Sequence, residues 1–478
     1  MSQGMPLPSA GISSEGVGDG PTSFAKLFDL GHGLVLLAVL GYATAKSMHA
    51  DGGIPVALLI VNGAFSIYGQ ITALQKQRLM RYISFFFSFT FMSVAPLLQI
   101  GAEFDPIYTN QSVLLYASIC ALGFTLIGLA IDRGEGAPVN AATFRPAVVS
   151  FLGYALLALV CAVAILFIYD QIGSRLFTSR DDFDDFVEDN FDSVVGKVLT
   201  GLVMPTSLYG ALIGLDMARR NRMFVTTSLF SALLATAAIV NNFFILPRFR
   251  IAAFIIFAFH YLTRATLSRG CAAFLIFGVF LAPFFNSFRT GDNIESFRYE
   301  HFEDIFLFMD YDAFSLMCYI IEYTKDEDFV YGQNILGALL FFVPRSIWED
   351  KPLHTAAQIM GTLESYREAP SNNLSSPLVA EGYYSFGFIG AALISLLYWH
   401  LLSRVELRAL RHRDTLQFLN TCVAAGVLLL LLRGALLSAV AYLCGCVIAA
   451  TVSWSILKIG ANRTPGSQWR PEATPPPP

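Results

Sequence analysis

The chain has 478 residues, 55% of them hydrophobic and only 14% charged, with a mean hydropathy of +0.57 and a formal net charge of −5. Soluble globular domains carry about a quarter charged residues, so a soluble enzyme is excluded and an all-α polytopic membrane protein is expected. No basic domain or nucleic-acid motif is present, which excludes a DNA- or RNA-binding role.

Residues 1–26 are rich in Gly, Ser and Pro and lack the charged start and apolar core of a signal peptide; a disordered cytoplasmic tail is expected. A helix needs about twenty apolar residues to cross the hydrocarbon. Twelve stretches qualify: roughly 29–48, 54–74, 80–100, 112–131, 147–170, 194–217, 223–245, 250–267, 271–288, 384–403, 415–432 and 435–457. They divide into a membrane domain of about nine helices (27–288), a large polar loop (289–383), about three more helices (384–458) and a second tail (459–478).

His260 and Arg264 interrupt the eighth stretch, and Arg433-Gly434 splits the last forty apolar residues in two. Gly210-Ala-Leu-Ile-Gly214 is a GxxxG packing face. Asp181–Asp192 alternates acids with Phe183, Phe186, Val187 and Phe191, as a short interfacial helix would, and lacks the EF-hand pattern. Six of the seven Cys lie in apolar stretches and none has zinc or CxxC spacing. Neither a disulfide framework nor a metal site is expected.

Charge sets the orientation. With both termini in the cytoplasm, the cytoplasmic links hold Lys76/Arg78/Arg81, Arg133/Arg145, Arg219/Arg220/Arg222, Arg264/Arg269 and Arg404/Arg408/Arg411/Arg413. The other side then carries Asp51, Glu103/Asp105, the acidic 181–192 run and the 289–383 loop. Arg175, Arg180, Arg248, Arg250 and Arg433 are exceptions on that side.

The loop holds sixteen Asp/Glu and six Lys/Arg. Phe302–Tyr323 has a helical apolar pattern, and Ser371-Asn-Asn-Leu-Ser-Ser-Pro377 reads as irregular chain. Ile335–Val343 is an apolar run too short to span a bilayer but long enough to lie in one. It leads into Pro344-Arg345-Ser-Ile-Trp348-Glu-Asp-Lys351-Pro352. Arg345 presents a planar fork of donors suited to phosphate oxygens, and Lys351 adds a point charge. The bland alternative is that both snorkel at the membrane edge and pair with Glu349 and Asp350.

Glu381-Gly-Tyr-Tyr-Ser-Phe-Gly387-Phe-Ile-Gly390 sits where the loop re-enters the membrane. A carboxylate there is placed to accept a proton, or is simply an acid favoured by a helix N-terminus. Asp310-Tyr-Asp312 looks like a metal-binding DxD, but on a helix residues i and i+2 lie about 200° apart and cannot share a metal. A single inward Asp312 remains. Arg433, in the middle of an apolar block, marks a polar cavity or snorkels. Arg250 and Arg289 are further candidate phosphate contacts. His301 and His354 are the loop's two histidines and could serve as bases, but with no partner at metal spacing each reads as a surface residue.

Taken together, the span count, the single dominant loop in the C-terminal half and the block Asp312–Gly390 resemble the Wzy-type O-antigen and exopolysaccharide repeat-unit polymerases. The residues that carry the resemblance are Pro344-Arg345, Trp348, Lys351-Pro352, Glu381, Phe386-Gly387 and Gly390, with Arg433-Gly434 near the end; the first 240 residues match only in hydropathy. The resemblance implies a C-type-like membrane glycosyltransferase of the bacterial inner membrane, independent of metal and of any cofactor. Its substrate would be an undecaprenyl-diphosphate-linked oligosaccharide, and a flippase and a chain-length regulator would be its partners. Arg345, Lys351, Arg433, Arg289 and Arg250 would hold the lipid diphosphate, and Glu381, then Asp312, would take the hydroxyl proton. An O-antigen ligase on the same scaffold is the second reading, with His354 as its functional histidine. A lipid-linked-glycan transporter is the third, although transporters place their sites near the bilayer midplane.

Overall fold

In the computed structural model of the protein the described residues are 23–48, 53–133, 149–173, 196, 198–241, 248–263, 269–278, 302–307, 311–359, 375–411 and 415–460. All regular structure among them is helical. Nine helices are long and apolar enough to cross a membrane: α1 (Ser23–Ser47), α2 (Gly53–Gln75), α3 (Leu79–Gly101), α4 (Gln111–Arg133), α5 (Phe151–Ile172), α6 (Leu199–Arg220), α13 (Leu378–Arg411), α14 (Thr415–Arg433) and α15 (Leu436–Leu457). The expected stretches 223–245, 250–267 and 271–288 appear as shorter apolar helices, α7 (Phe224–Val240), α8 (Arg248–Thr263) and α9 (269–278). Three short helices cover one end of the bundle: α10 (Ala313–Asp326), α11 (Gln333–Leu339) and α12 (Thr355–Gln358). The fold is that of a polytopic helical membrane protein.

Two apolar cores lie side by side. The first joins α1–α4 with α10 and α13, around Phe85, Phe124 and Trp399; the second joins α5–α8 with α15, around Tyr209, Phe230 and Trp454. Helix α14 belongs to both, giving Ala425, Leu428 and Leu432 to the first and Leu419, Val423 and Val427 to the second. The GxxxG of α6 is a packing face: a methyl on Gly214 would meet the Phe230 ring, and one on Gly210 would meet Cys161.

Polar groups in the membrane interior must find partners within the protein. Helix α3 has a π turn at Thr90–Val94, and Asn62 of α2 sits against it. The Asn62 amide donates to the Met92 carbonyl (3.1 Å) and to Ser93 (2.8 Å). Arg81 and Arg78, expected in a basic link, are fully buried. Arg81 pairs with Asp132 of α4 (2.9 Å) and Glu406 of α13 (3.7 Å) and donates to Ser403 (2.9 Å). Lys76 closes on Asp132 from the rim (2.8 Å). These charges lock α3, α4 and α13 together at the end of the bundle opposite the short helices.

The entry into α13 differs from the sequence reading. The helix begins at Leu378, six residues before the expected stretch at 384, because Glu381 made a helical segment look like loop. It then breaks at Phe386 and Gly387, where Gly387 adopts φ 62° and ψ −145°, a conformation that favours glycine. The break frees two carbonyls of the first arm. The amides of Val330 and Tyr331 fill them, donating to Tyr384 O (3.1 Å) and Ser385 O (3.2 Å). The expected helix over Phe302–Tyr323 is also resolved differently: a 3₁₀ turn at Phe302–Phe306 precedes α10, which starts at Ala313.

Candidate functional site

The polar centre of the protein lies where the short helices meet the start of α13 and the α14–α15 corner. The carboxylate of Glu381 is 2% exposed. Its Oε2 accepts from Asn334 Nδ2 (2.7 Å) and from Thr355 Oγ1 (2.5 Å), and its Oε1 accepts from the Leu436 amide (3.4 Å). Ser385, one turn on, donates to Asn334 Oδ1 (2.8 Å) and so fixes which way the amide faces. These donors are neutral, and they come from α11, α12 and α15. The helix-N-terminal position expected for Glu381 is observed, but the side chain is turned inward among neighbouring elements.

Asp312 is the second buried carboxylate, at 3% exposed and just ahead of α10. Its Oδ1 accepts from the guanidinium of Arg433 (3.3 Å) and from the hydroxyl of Ser375. Arg433, the last residue of α14, also lies over the Phe91 ring (5.9 Å), and its carbonyl accepts from the Ser376 amide (3.1 Å). The sharp turn at Gly434 thus touches both carboxylates, Asp312 through the Arg433 side chain and Glu381 through the Leu436 amide. Asp310, the other half of the DxD, lies outside the described residues.

Arg345 and Lys351 stand in a hook of chain between α11 and α12. Lys351 is buried, and its ammonium donates to the carbonyls of Phe341 (2.7 Å) and Val343 (2.9 Å). Arg345 is exposed and gives one N–H to the Lys351 carbonyl (2.7 Å). The pair therefore shapes the hook; only Arg345 presents its charge outward. Asn334 and Thr355, at the two ends of the hook, are both fastened to Glu381 Oε2.

Arg250, near the start of α8, packs its guanidinium over the rings of Tyr442 (5.4 Å) and Phe249 (5.9 Å) in the second core. Arg289 and His301 lie outside the described residues, as do the acidic 181–192 run and the Arg248 side chain. His354 caps α12: its Nδ1 accepts from the Ala357 amide (3.2 Å), and burial lowers its pKa.

Sequence reasoning missed Asn334, Thr355, Ser375 and Ser385. All four are uncharged, and none was singled out as a site residue. A usable signal existed only for Ser375, in a Ser/Asn cluster of the kind that makes side-chain-to-backbone contacts. Arranged this way, the site offers one acid held by neutral donors, a second acid tied to a cation, and an outward Arg345 on a loop anchored to the first acid. Comparison with known proteins gives no relative: no family model, no curated protein and no solved structure matches the chain.

Proposed function

We propose that the chain is a membrane glycosyltransferase that polymerises lipid-diphosphate-linked oligosaccharide repeat units, with the short-helix end of the bundle facing the periplasm of a bacterial inner membrane. The observation that carries this reading is the buried Glu381, set among neutral donors and fastened to both ends of the hook that bears Arg345. In the reaction a hydroxyl of the new lipid-linked unit attacks the anomeric carbon of the growing glycan. The bond from that carbon to the lipid diphosphate breaks, the diphosphate leaves with its electron pair, and a carboxylate takes the hydroxyl proton. Glu381 is assigned the proton, and Arg345 and Arg433 the departing negative charge. Lys351 and Arg250, engaged with carbonyls and aromatic rings, serve by shaping their surroundings.

The orientation rests on charge asymmetry between the links. Reporter fusions at residue 330 are expected to read periplasm and fusions at 221 cytoplasm; the inverse would remove the basis for the assignment. Deleting the gene should leave surface glycan one repeat unit long. Arg345→Ala should do the same at normal protein level, since losing a charge-stabilising donor typically costs about 10²–10³ in rate, and so should Glu381→Gln, which removes the proton acceptor. Arg345→Lys should stay impaired, because one ammonium does not replace a planar fork. Long polymer retained on the carrier lipid would indicate a ligase, and wild-type polymer from both variants would refute the assignment.

A further inference from the structure

We propose that the hook between Asn334 and Thr355 is inserted into the lipid leaflet at its end of the bundle, so that phospholipid, not water or another protein, covers its apolar side. Many of its exposed residues are the wrong ones for a water-facing loop. Leu336, Leu339, Phe342, Ile347 and Leu353 all face outward, with Phe342 67% and Ile347 77% accessible. Large apolar side chains exposed together on one short segment mark a site of contact with a partner or a membrane.

The hook closes part of its own main chain, in the direction that lipid imposes on polar groups. Lys351 reaches inward to the carbonyls of Phe341 and Val343, and Arg345 covers the carbonyl of Lys351. The amides of Val343, Ile347, Trp348 and Lys351 donate to Leu340, Pro344, Pro344 and Trp348 in turn. A buried lysine spent on main-chain carbonyls has little reason to exist in a solvated loop, where water would serve them.

The root of the hook touches α13, a helix long and apolar enough to cross a membrane. Tyr331 meets Phe386 edge to face, and Phe386, Ile389 and Leu393 of α13 are exposed. Arg345, Glu349 and Asp350 are exposed near the tip. They limit the depth to the boundary of headgroups and acyl chains, about 5–10 Å in, as for other interfacial segments.

The test needs no enzymatic activity and does not depend on the proposed reaction. The full-length protein is placed in vesicles of phosphatidylcholine and phosphatidylglycerol. Nitroxide labels are attached at Phe342→Cys and Ile347→Cys, with Ile389→Cys as a lipid reference and Asp326→Cys as a water reference. Wild-type protein treated with the same label sets the background from the native cysteines. Collision with oxygen should exceed collision with a water-soluble nickel chelate at 342 and 347 by a ratio near that of 389 and several-fold above that of 326. Ratios matching 326 would overturn the proposal in favour of a solvated loop. Low collision with both reagents would overturn it in favour of contact with a second copy, the one other protein present.

Discussion

Gly382 and Gly390 pack backbone against backbone, so that a Cβ on Gly390 would lie 2.0 Å from the Gly382 carbonyl oxygen. Eight residues apart on a straight helix they would be separated by about 12 Å. The break at Gly387 folds the two arms of α13 onto each other and thereby sets Glu381 toward α11, α12 and α15.

Gly390→Ala is expected to destabilise the fold, because the atom it meets is main chain and cannot rotate away. Overpacking of this kind typically costs about 1–3 kcal/mol. Gly387→Ala should cost a similar amount through strain at positive φ. Thermal unfolding in detergent, followed by tryptophan fluorescence, checks both; unchanged midpoints would mean that the arms separate freely.

The Asp312–Arg433 pair should behave as a unit. Arg433→Met leaves the Asp312 carboxylate buried with hydroxyl contact alone, at a cost of roughly 1–3 kcal/mol, the lower half applying because Arg433 is a quarter exposed. Adding Asp312→Asn should recover part of that loss. A double-mutant cycle on unfolding midpoints reads the coupling directly, and strict additivity of the two substitutions would show that the ion pair contributes nothing.

At the opposite end, Arg81→Met removes the fully buried cation that Asp132 and Glu406 share, leaving Asp132 with Lys76 and a longer contact to Arg78. Removing one partner of a buried ion network costs about 3–5 kcal/mol. Lys76→Ala, on the rim of the same network and a quarter exposed, should cost below about 1 kcal/mol. Yield of folded protein after detergent extraction separates the two, and equal loss from both would contradict the burial of Arg81.

His354 gives a pH-dependent cap. Burial lowers its pKa, so the unfolded chain takes up the proton first, near pH 6.5. The stability it contributes is present above that value and falls as pH drops below it. Protonation of Nδ1 removes one of the two acceptors of the Ala357 amide and leaves the His354 carbonyl at 2.9 Å. As pH falls below about 6.5, the protection factor at Ala357, taken against the intrinsic exchange rate at each pH, should drop by an amount matching up to about 1 kcal/mol of capping. His354→Asn keeps an acceptor at the cap and should flatten the dependence; persistence of the pH effect in that variant would assign it elsewhere.

Composition alone determined the membrane class, because twenty apolar residues in a row have no other stable environment, and hydropathy located all nine long helices and the break at Arg433-Gly434. It also marked Glu381, Asp312 and Arg433, since a charge beside or within apolar chain is costly enough to stand out. What it did not contain was their arrangement. Asn334, Thr355, Ser375 and Ser385 are ordinary residues until the chain brings them within hydrogen-bond distance of a carboxylate. Arg81 reads as a link cation until α4 and α13 supply Asp132 and Glu406. Lys351 reads only as a cation after an apolar run until the hook curls and gives it the carbonyls of Phe341 and Val343. Local pattern records the cost of placing each side chain in lipid or water, but the partners that offset that cost come from residues up to several hundred positions away, and only the packed helices decide which ones meet.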